Sequence, residues 1–296
     1  MQILGAGLAG LLAGCHFPNA TLYEAGTPEK IAHKAVLRFR TPAVGDSVGI
    51  DFRKVRVRKG IWYQNAFHEP TIRLANFYAE KVIGAIVDRS IWHIEPVDRY
   101  IAPENFQEQL IDRVGNRIHW NTPVDKETLL SFQGATVTTM PLSILAQWLT
   151  FPQKPEFSYA PIHVQRFRLP KADVFQTIYF PDPLTTLYRV SITGDLVIAE
   201  YVRAIDRTYD FWPAFGIDAG QAEPIEVSSQ RFGKILPIDD TWRKAFIFFL
   251  SHEHGIYSIG RYSTWRNILL DDLIPDLTII KRLIGGSAYA RRLANL

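Results

Sequence analysis

Gly5-Ala6-Gly7-Leu8-Ala9-Gly10 follows the apolar Ile3-Leu4 directly and opens Leu8 to Cys15, a segment whose small residues suit close packing on a sheet. The spacing is G-x-G-x-x-G between a strand and a helix, the context that makes this pattern informative. Gly5 permits a tight turn, Gly7 lets the backbone approach a pyrophosphate, and Gly10 lets the helix close on the strand. The helix N-terminus, entered through Leu8 and Ala9, offers unpaired N–H groups and a partial positive charge to phosphate. Ala20 to Glu24 reads as the next strand, and Glu24 stands 19 residues after Gly5, where a carboxylate accepts hydrogen bonds from ribose hydroxyls and disfavours a 2′-phosphate. The first 24 residues therefore predict a dinucleotide site of the Rossmann type.

Further along, Val36 to Arg40 and Val55 to Arg58 read as strands around a Gly45/Gly49 loop, with Lys54, Arg56 and Arg58 on one face of the second. Pro70 to Ala85 reads as a helix, and so does the segment from Pro103 to Val114, closed by Gly115. Short strands are expected at Arg117 to Trp120 and Ala135 to Thr139. From Pro155 to Val202 the pattern is mostly strand, with turns at Pro181-Asp182-Pro183 and Thr193-Gly194-Asp195, which predicts an antiparallel sheet. Asp240 to His254 reads as a helix stopped by Gly255, Ile256 to Gly260 as a strand, and Thr264 onward as a helix interrupted near Pro275.

The fold class expected is α/β: a Rossmann-like dinucleotide-binding domain made from residues 1–60, 101–150 and 241–296, with an inserted antiparallel β-sheet substrate domain from 61–100 and 151–240. Ile259-Gly260-Arg261-Tyr262-Ser263-Thr264-Trp265 resembles the second flavin-contacting motif of the glutathione-reductase-type FAD superfamily, in the Gly-Arg form of UDP-galactopyranose mutases and amine-oxidase-like members. Ala135 to Leu142 is similar to the strand and Pro-Leu turn that passes FAD in amine-oxidase-like proteins, and Val124 matches their adenine-contacting backbone valine. The resemblance implies FAD as cofactor. It assigns to the cofactor Gly260, Arg261, Thr264 and Trp265, together with Thr139, Pro141 and Val124. Leu8, Ala9, Arg38 and Arg40 join the same expected set.

Composition narrows the chemistry. The one cysteine, Cys15, excludes a thiol relay and reads as a core residue. There is no second G-x-G-x-x-G, so no separate nicotinamide domain is expected. No run of about 18 apolar residues suggests a membrane span, and the expectation is a cytoplasmic protein. His252-Glu253-His254 falls at a predicted helix end, where histidine meets the C-terminal dipole, so no metal is predicted. His33, His93 and His163 have no ligand spacing, and Asp271-Asp272 reads as solvated.

Three functions stay open. The first is an FAD-dependent oxidase or lyase acting on the C–N bond of an amine or amino-acid-like group, with Arg189 pairing to a substrate carboxylate. Its sharper form takes the basic block of Lys54, Arg56 and Arg58, with Tyr63 and neighbouring rings, as a site for a modified thymine base, with DNA as partner. That form resembles phage-encoded FAD enzymes of thymidine hypermodification, which would place the chain in a host cytoplasm. The second is a flavin-dependent sugar-nucleotide mutase. Against it stand a chain shorter than typical mutases of that type and the lack of identifiable paired tyrosines or arginines. The third is a flavin-binding protein without catalysis.

Overall fold

The structure is a computed structural model that describes residues 1–31, 37–86 and 90–294. Val36, at the start of one expected strand, and His33 lie outside the described residues. The chain divides into two compact units, one of Met1–Arg53, Tyr100–Phe157 and the segment from Pro237 onward, the other of Lys54–Arg99 and Ser158–Leu236.

The first unit opens with β1 (Gln2–Leu4), α1 (Leu8–His16), β2 (Thr21–Tyr23), α2 (Pro28–Ile31), β3 (Arg38–Phe39) and α3 (Ala43–Val48). The excursion through the second unit begins with β4 (Arg53–Tyr63), β5 (Ala66–His68) and α4 (Ile72–Ile83). β6 (Val97–Ile101) leads back to α5 (Phe106–Val114), β7 (Ile118–His119), α6 (Lys126–Ser131), β8 (Thr136–Thr138) and α7 (Leu142–Trp148). The second excursion carries β9 (Tyr159–Arg168), β10 (Val174–Tyr179), β11 (Leu187–Gly194), β12 (Leu196–Tyr201) and β13 (Glu223–Ile235). The first unit closes with α8 (Asp240–His254), β14 (Ile256–Ser258), α9 (Arg261–Thr264) and α10 (Leu273–Ala294).

Five parallel strands lie in the order β7-β2-β1-β8-β14. Counted along the chain this is 3-2-1-4-5, the doubly wound order whose direction reverses between β1 and β8. Each strand is very short and buries at least one apolar residue, as expected where helices cover both faces. α1 packs through Leu8, Leu11, Leu12 and Ala13 into one core with Ile3, Leu22, Val137 and Ile259. Arg117 fixes the far end of α1, its guanidinium donating to the carbonyls of Gly14, Phe17 and Ala20 at 3.1–3.2 Å. Cys15 packs against this core, and burial pushes its thiol upward.

In the second unit, antiparallel neighbours β13-β9-β12-β11-β10 continue into β4, which runs parallel to β10. β4 and β5 form a hairpin through Gln64 and Asn65, both at positive φ (50° and 60°), the pair of left-handed residues that a two-residue turn requires. Alternate residues feed two cores: Ile178 and Val197 face Phe211 and Trp212, whereas Tyr179 and Ile198 face the apolar side of α4. Thr71 starts α4 by accepting from the Leu74 N–H, and Gly84 ends it at φ 69°.

Two expectations need correction. The Gly45/Gly49 segment is helix α3 and not a loop: Gly45 sits inside it against Ile50 and Phe52, and Gly49 is its left-handed cap. The last helical region begins earlier, as the single turn α9, and breaks at Trp265 (φ 47°). Pro275 lies in the first turn of α10, where a missing N–H costs nothing, and so does not interrupt that helix. α8 ends at His254 with Gly255 at φ 63°, and His252 is engaged by Glu253 and stacked on Phe248. Among the described residues, no three His, Cys, Asp or Glu gather as a metal site, and no helix is long and apolar enough to cross a membrane.

Lys81 on α4 pins the turn between β10 and β11. Its Nζ donates to the carbonyls of Phe180, Asp182 and Leu187 at 2.9, 2.6 and 2.5 Å. Burial pushes this lysine down to about 7. The unfolded chain therefore binds more protons than the folded one between pH ~7 and ~10, so stability should rise with pH across that window. Urea unfolding at a series of pH values should show this slope in the native chain and lose it in Lys81→Met, which should also be less stable by about 2–4 kcal/mol because three buried carbonyls lose their donor.

Candidate dinucleotide site

The glycine turn sits outside the carboxyl ends of β1 and β8, at the point where strand order reverses. Gly5 has φ 90°, and a Cβ there would lie 2.1 Å from Thr139 Oγ1. A Cβ on Gly10 would lie 1.8 Å from the Gly5 carbonyl oxygen. Both positions must be glycine for α1 to lie this close to the two strands. Gly7 differs: nothing stands within 4 Å of where its Cβ would be, so this residue faces open space. Gly7 caps α1 without a side-chain hydrogen bond, leaving first-turn N–H groups for a ligand.

Glu24 anchors the turn. One carboxylate oxygen accepts from the Ala6 N–H at 2.7 Å and the other from the Gly26 N–H at 2.8 Å. Each oxygen keeps a second acceptor position for a hydroxyl. The Glu24 carbonyl accepts from Thr122 N–H at 2.8 Å, which sets the loop holding Val124 beside the end of β2. Thr139 joins β8 to β1, its N–H and Oγ1 both donating to Leu4 O at 2.9 and 2.8 Å, and Pro141 then caps α7.

The C-terminal motif reaches the same place. Gly260 has φ 85°, and its Cβ position lies 3.2 Å from Ala9 Cβ in the first turn of α1. Thr264 closes α9 by donating from N and Oγ1 to Gly260 O at 3.0 and 2.7 Å. Trp265 is buried in a left-handed conformation, with Phe157 edge-on at 4.7 Å. Arg261 turns back to donate to Ile268 O at 3.2–3.3 Å. Fully buried Ser263 Oγ has no hydrogen-bond partner among the described residues.

The structure thus brings together Gly5, Gly7, Leu8, Ala9, Gly10, Glu24, Thr139 and Gly260, with Thr264 and Trp265 behind Gly260. Arg40 is held differently from the expectation, by ion pairs to Asp271 and Asp272, and its N–H also donates to Asp271 Oδ1 at 2.8 Å. These two acids, read from sequence as solvated, fasten the β3 end to the approach of α10. Arg38 is the first residue of β3, opposite Ile101. Sequence reasoning did not single out Phe157, which lies in no motif, or Ser263, which lies within the Ile259–Trp265 motif but had no role assigned there.

The expected substrate residues lie in the other unit. Lys54, Arg56 and Arg58 are exposed on one face of β4 with Val55 and Val57 buried between them. Lys54 and Arg56 share Asp98, each at 3.0 Å. Tyr63 ends β4, edge-on to His68 at 5.8 Å. Arg189 is committed to Glu200, which also accepts from the Tyr188 hydroxyl at 2.9 Å. Burial works to raise the Glu200 carboxyl, but Arg189 beside it prevails and holds it below the usual range. Burial and the Glu200 charge push the Tyr188 hydroxyl far up, and Lys234 lies 4.2 Å from the centre of the Tyr188 ring.

No protein-family model matches the chain, and no curated protein does. Among solved structures it is similar to a reduced UDP-galactopyranose mutase, with TM-score 0.69 and 13% identity over 96% of this chain and 93% of that one. It is similar to a protein from Pyrococcus furiosus, with TM-score 0.54 and 9% identity over 96% of this chain and 97% of that one. An oxidoreductase from Methanosarcina mazei matches with TM-score 0.50 and 9% identity over 88% and 94%. At such identities the likeness speaks for the fold. The chain has the Rossmann-type α/β fold with an antiparallel sheet set into it, as its sequence led one to expect, and shares that fold with UDP-galactopyranose mutase.

Proposed function

We propose that the chain is an FAD-dependent enzyme that holds the dinucleotide outside β1 and β8. The observation that carries this reading is the meeting of two distant segments: the Gly260 turn, from the last strand of the sheet, packs on the glycine-turn helix so closely that a Cβ on Gly260 would lie 3.2 Å from Ala9 Cβ. A G-x-G-x-x-G turn alone suits NAD or FAD, and it is the second segment that favours flavin. In this reading the free N–H groups of the first turn of α1 take the pyrophosphate. Glu24 holds the turn with one lone pair on each oxygen and takes ribose hydroxyls with the others, and its charge keeps a 2′-phosphate out. Bound flavin supplies hydride exchange and, when reduced, a nucleophile toward carbon.

For the reaction, the similarity to UDP-galactopyranose mutase along 96% of this chain and 93% of that one favours a sugar-nucleotide mutase. Chain length, which counted against this reading in the sequence, therefore does not. The C–N oxidation reading drew on Arg189 for a substrate carboxylate, and the Nε of that guanidinium already donates to Glu200. Its modified-base form drew on the cation row of β4, two of whose members are held by Asp98.

Two experiments test these statements. Gly7→Ala should fold as the native chain does, within about 0.5 kcal/mol, because Gly7 has φ −64° and open space around it, yet should lose FAD affinity by about tenfold or more. Gly10→Ala should lose stability as well, by about 2–4 kcal/mol, because of the clash with Gly5 O. Full FAD retention in Gly7→Ala would overturn the site. For the reaction, purified flavoprotein incubated with UDP-galactopyranose should form a ring-contracted isomer, resolved by ion-exchange chromatography, only after dithionite reduction. Anaerobic bleaching of the oxidised protein by amines would instead establish oxidation, and a flavin spectrum without turnover would leave a binding protein.

A further inference from the structure

Strand alternation sets Lys54, Arg56 and Arg58 about 6.6 Å apart in a row on one face of β4, with Val55 and Val57 buried on the other. A row of cations often guards the edge of a sheet, but β4 is no edge: it lies between β10 and β6. The row stays in water, with the Lys54 side chain 60% exposed and that of Arg56 63%. Both reach Asp98 on β6, and open ion pairs of this kind are weak and screened by salt. Asp98 thus holds the two side chains next to each other on the surface, where a phosphate can compete for them. Arg58 pairs with no carboxylate among the described residues.

The next position in the row is Gly60, and its missing side chain lets an aromatic ring continue the line. Phe67 on β5 stands opposite Trp62 and lies over Gly60, where a Cβ would be 2.9 Å from Phe67 Cε1. Trp62 braces the ring edge-on at 5.0 Å and 79°, yet Phe67 remains 55% exposed. A ring held in place beside cations is a stacking platform at the end of an electrostatic track. Three cations and a ring along about 20 Å of strand suit a polymer that repeats phosphates at a comparable interval and carries a flat base with each. Duplex DNA satisfies the cations but hides its base faces from the ring. An acidic peptide satisfies the cations and brings no base to stack.

We infer that this face of β4 and β5 binds a single-stranded nucleic acid, with phosphates along Lys54, Arg56 and Arg58 and a base stacked on Phe67. All of these residues belong to the second unit, and the binding does not depend on what the glycine turn holds. Nor does it require the strand to be a substrate of the flavin.

Fluorescence anisotropy of a labelled twelve-nucleotide oligothymidylate, titrated with the full chain at about 50 mM NaCl, tests the inference. Binding is expected, and an oligouridylate of the same length should bind alike, since phosphates and base faces are common to both. The matching duplex and an abasic strand should each bind about tenfold more weakly. Log affinity against log salt should have a slope of about −2 for three phosphate contacts, and Arg58→Gln should make it shallower by about 0.7. Phe67→Leu should weaken binding about tenfold and leave the slope unchanged. Both side chains are exposed, so both variants should keep the native Tm. Lys244→Gln, an exposed change on α8, should alter nothing. Failure to bind the oligothymidylate, equal binding of the abasic strand, or equal weakening by Lys244→Gln and Arg58→Gln would overturn the inference. So would a preference for phosphatidylglycerol vesicles that Phe67→Leu abolishes, because the face would then serve a membrane.

Discussion

The first unit depends on how closely α1 can approach two strand ends. Its first turn is in contact with β1 through the Gly5 carbonyl, with β8 through Thr139, and with the turn after β14 through Gly260. Any Cβ at Gly5 or Gly10 would force the helix outward, and the three strands would then lose the surface against which their end residues are aligned. Gly7, in the same turn, is under no such pressure. The motif therefore contains two glycines required by packing and one left open toward a ligand, a distinction that spacing alone does not make.

Charge plays a different part in each unit. In the first, carboxylates act on backbone: Glu24 binds the Ala6 and Gly26 amides, and Asp271 binds the Arg40 amide along with its guanidinium. In the second, side chains satisfy each other, with Glu200 shared by Tyr188 and Arg189. A largely buried carboxylate without those donors would be costly.

Regular elements with strong local punctuation were readable from the residues. α8 begins at Asp239 as its cap and ends at Gly255, and the hairpin-rich middle announces its turns with proline and glycine. What misled was punctuation without a unique meaning. Gly45 and Gly49 mark a loop or a helix with its cap, and only the packing of Gly45 under Ile50 and Phe52 selects the helix. Pro275 marks a break or a first turn, and the second holds because α10 starts at Leu273.

By itself the sequence determined the Rossmann turn, its acid partner and the presence of an inserted antiparallel sheet, because each rests on short-range constraints: a glycine's φ, a helix end, an alternating strand. Tertiary structure decided which residues meet. That Gly260 lies on Ala9, that Asp271 and Asp272 hold Arg40, and that Arg189 pairs with Glu200 are contacts across 11 to 251 positions of chain. Such contacts arise from the order of strands in the sheets, and no local pattern encodes that order.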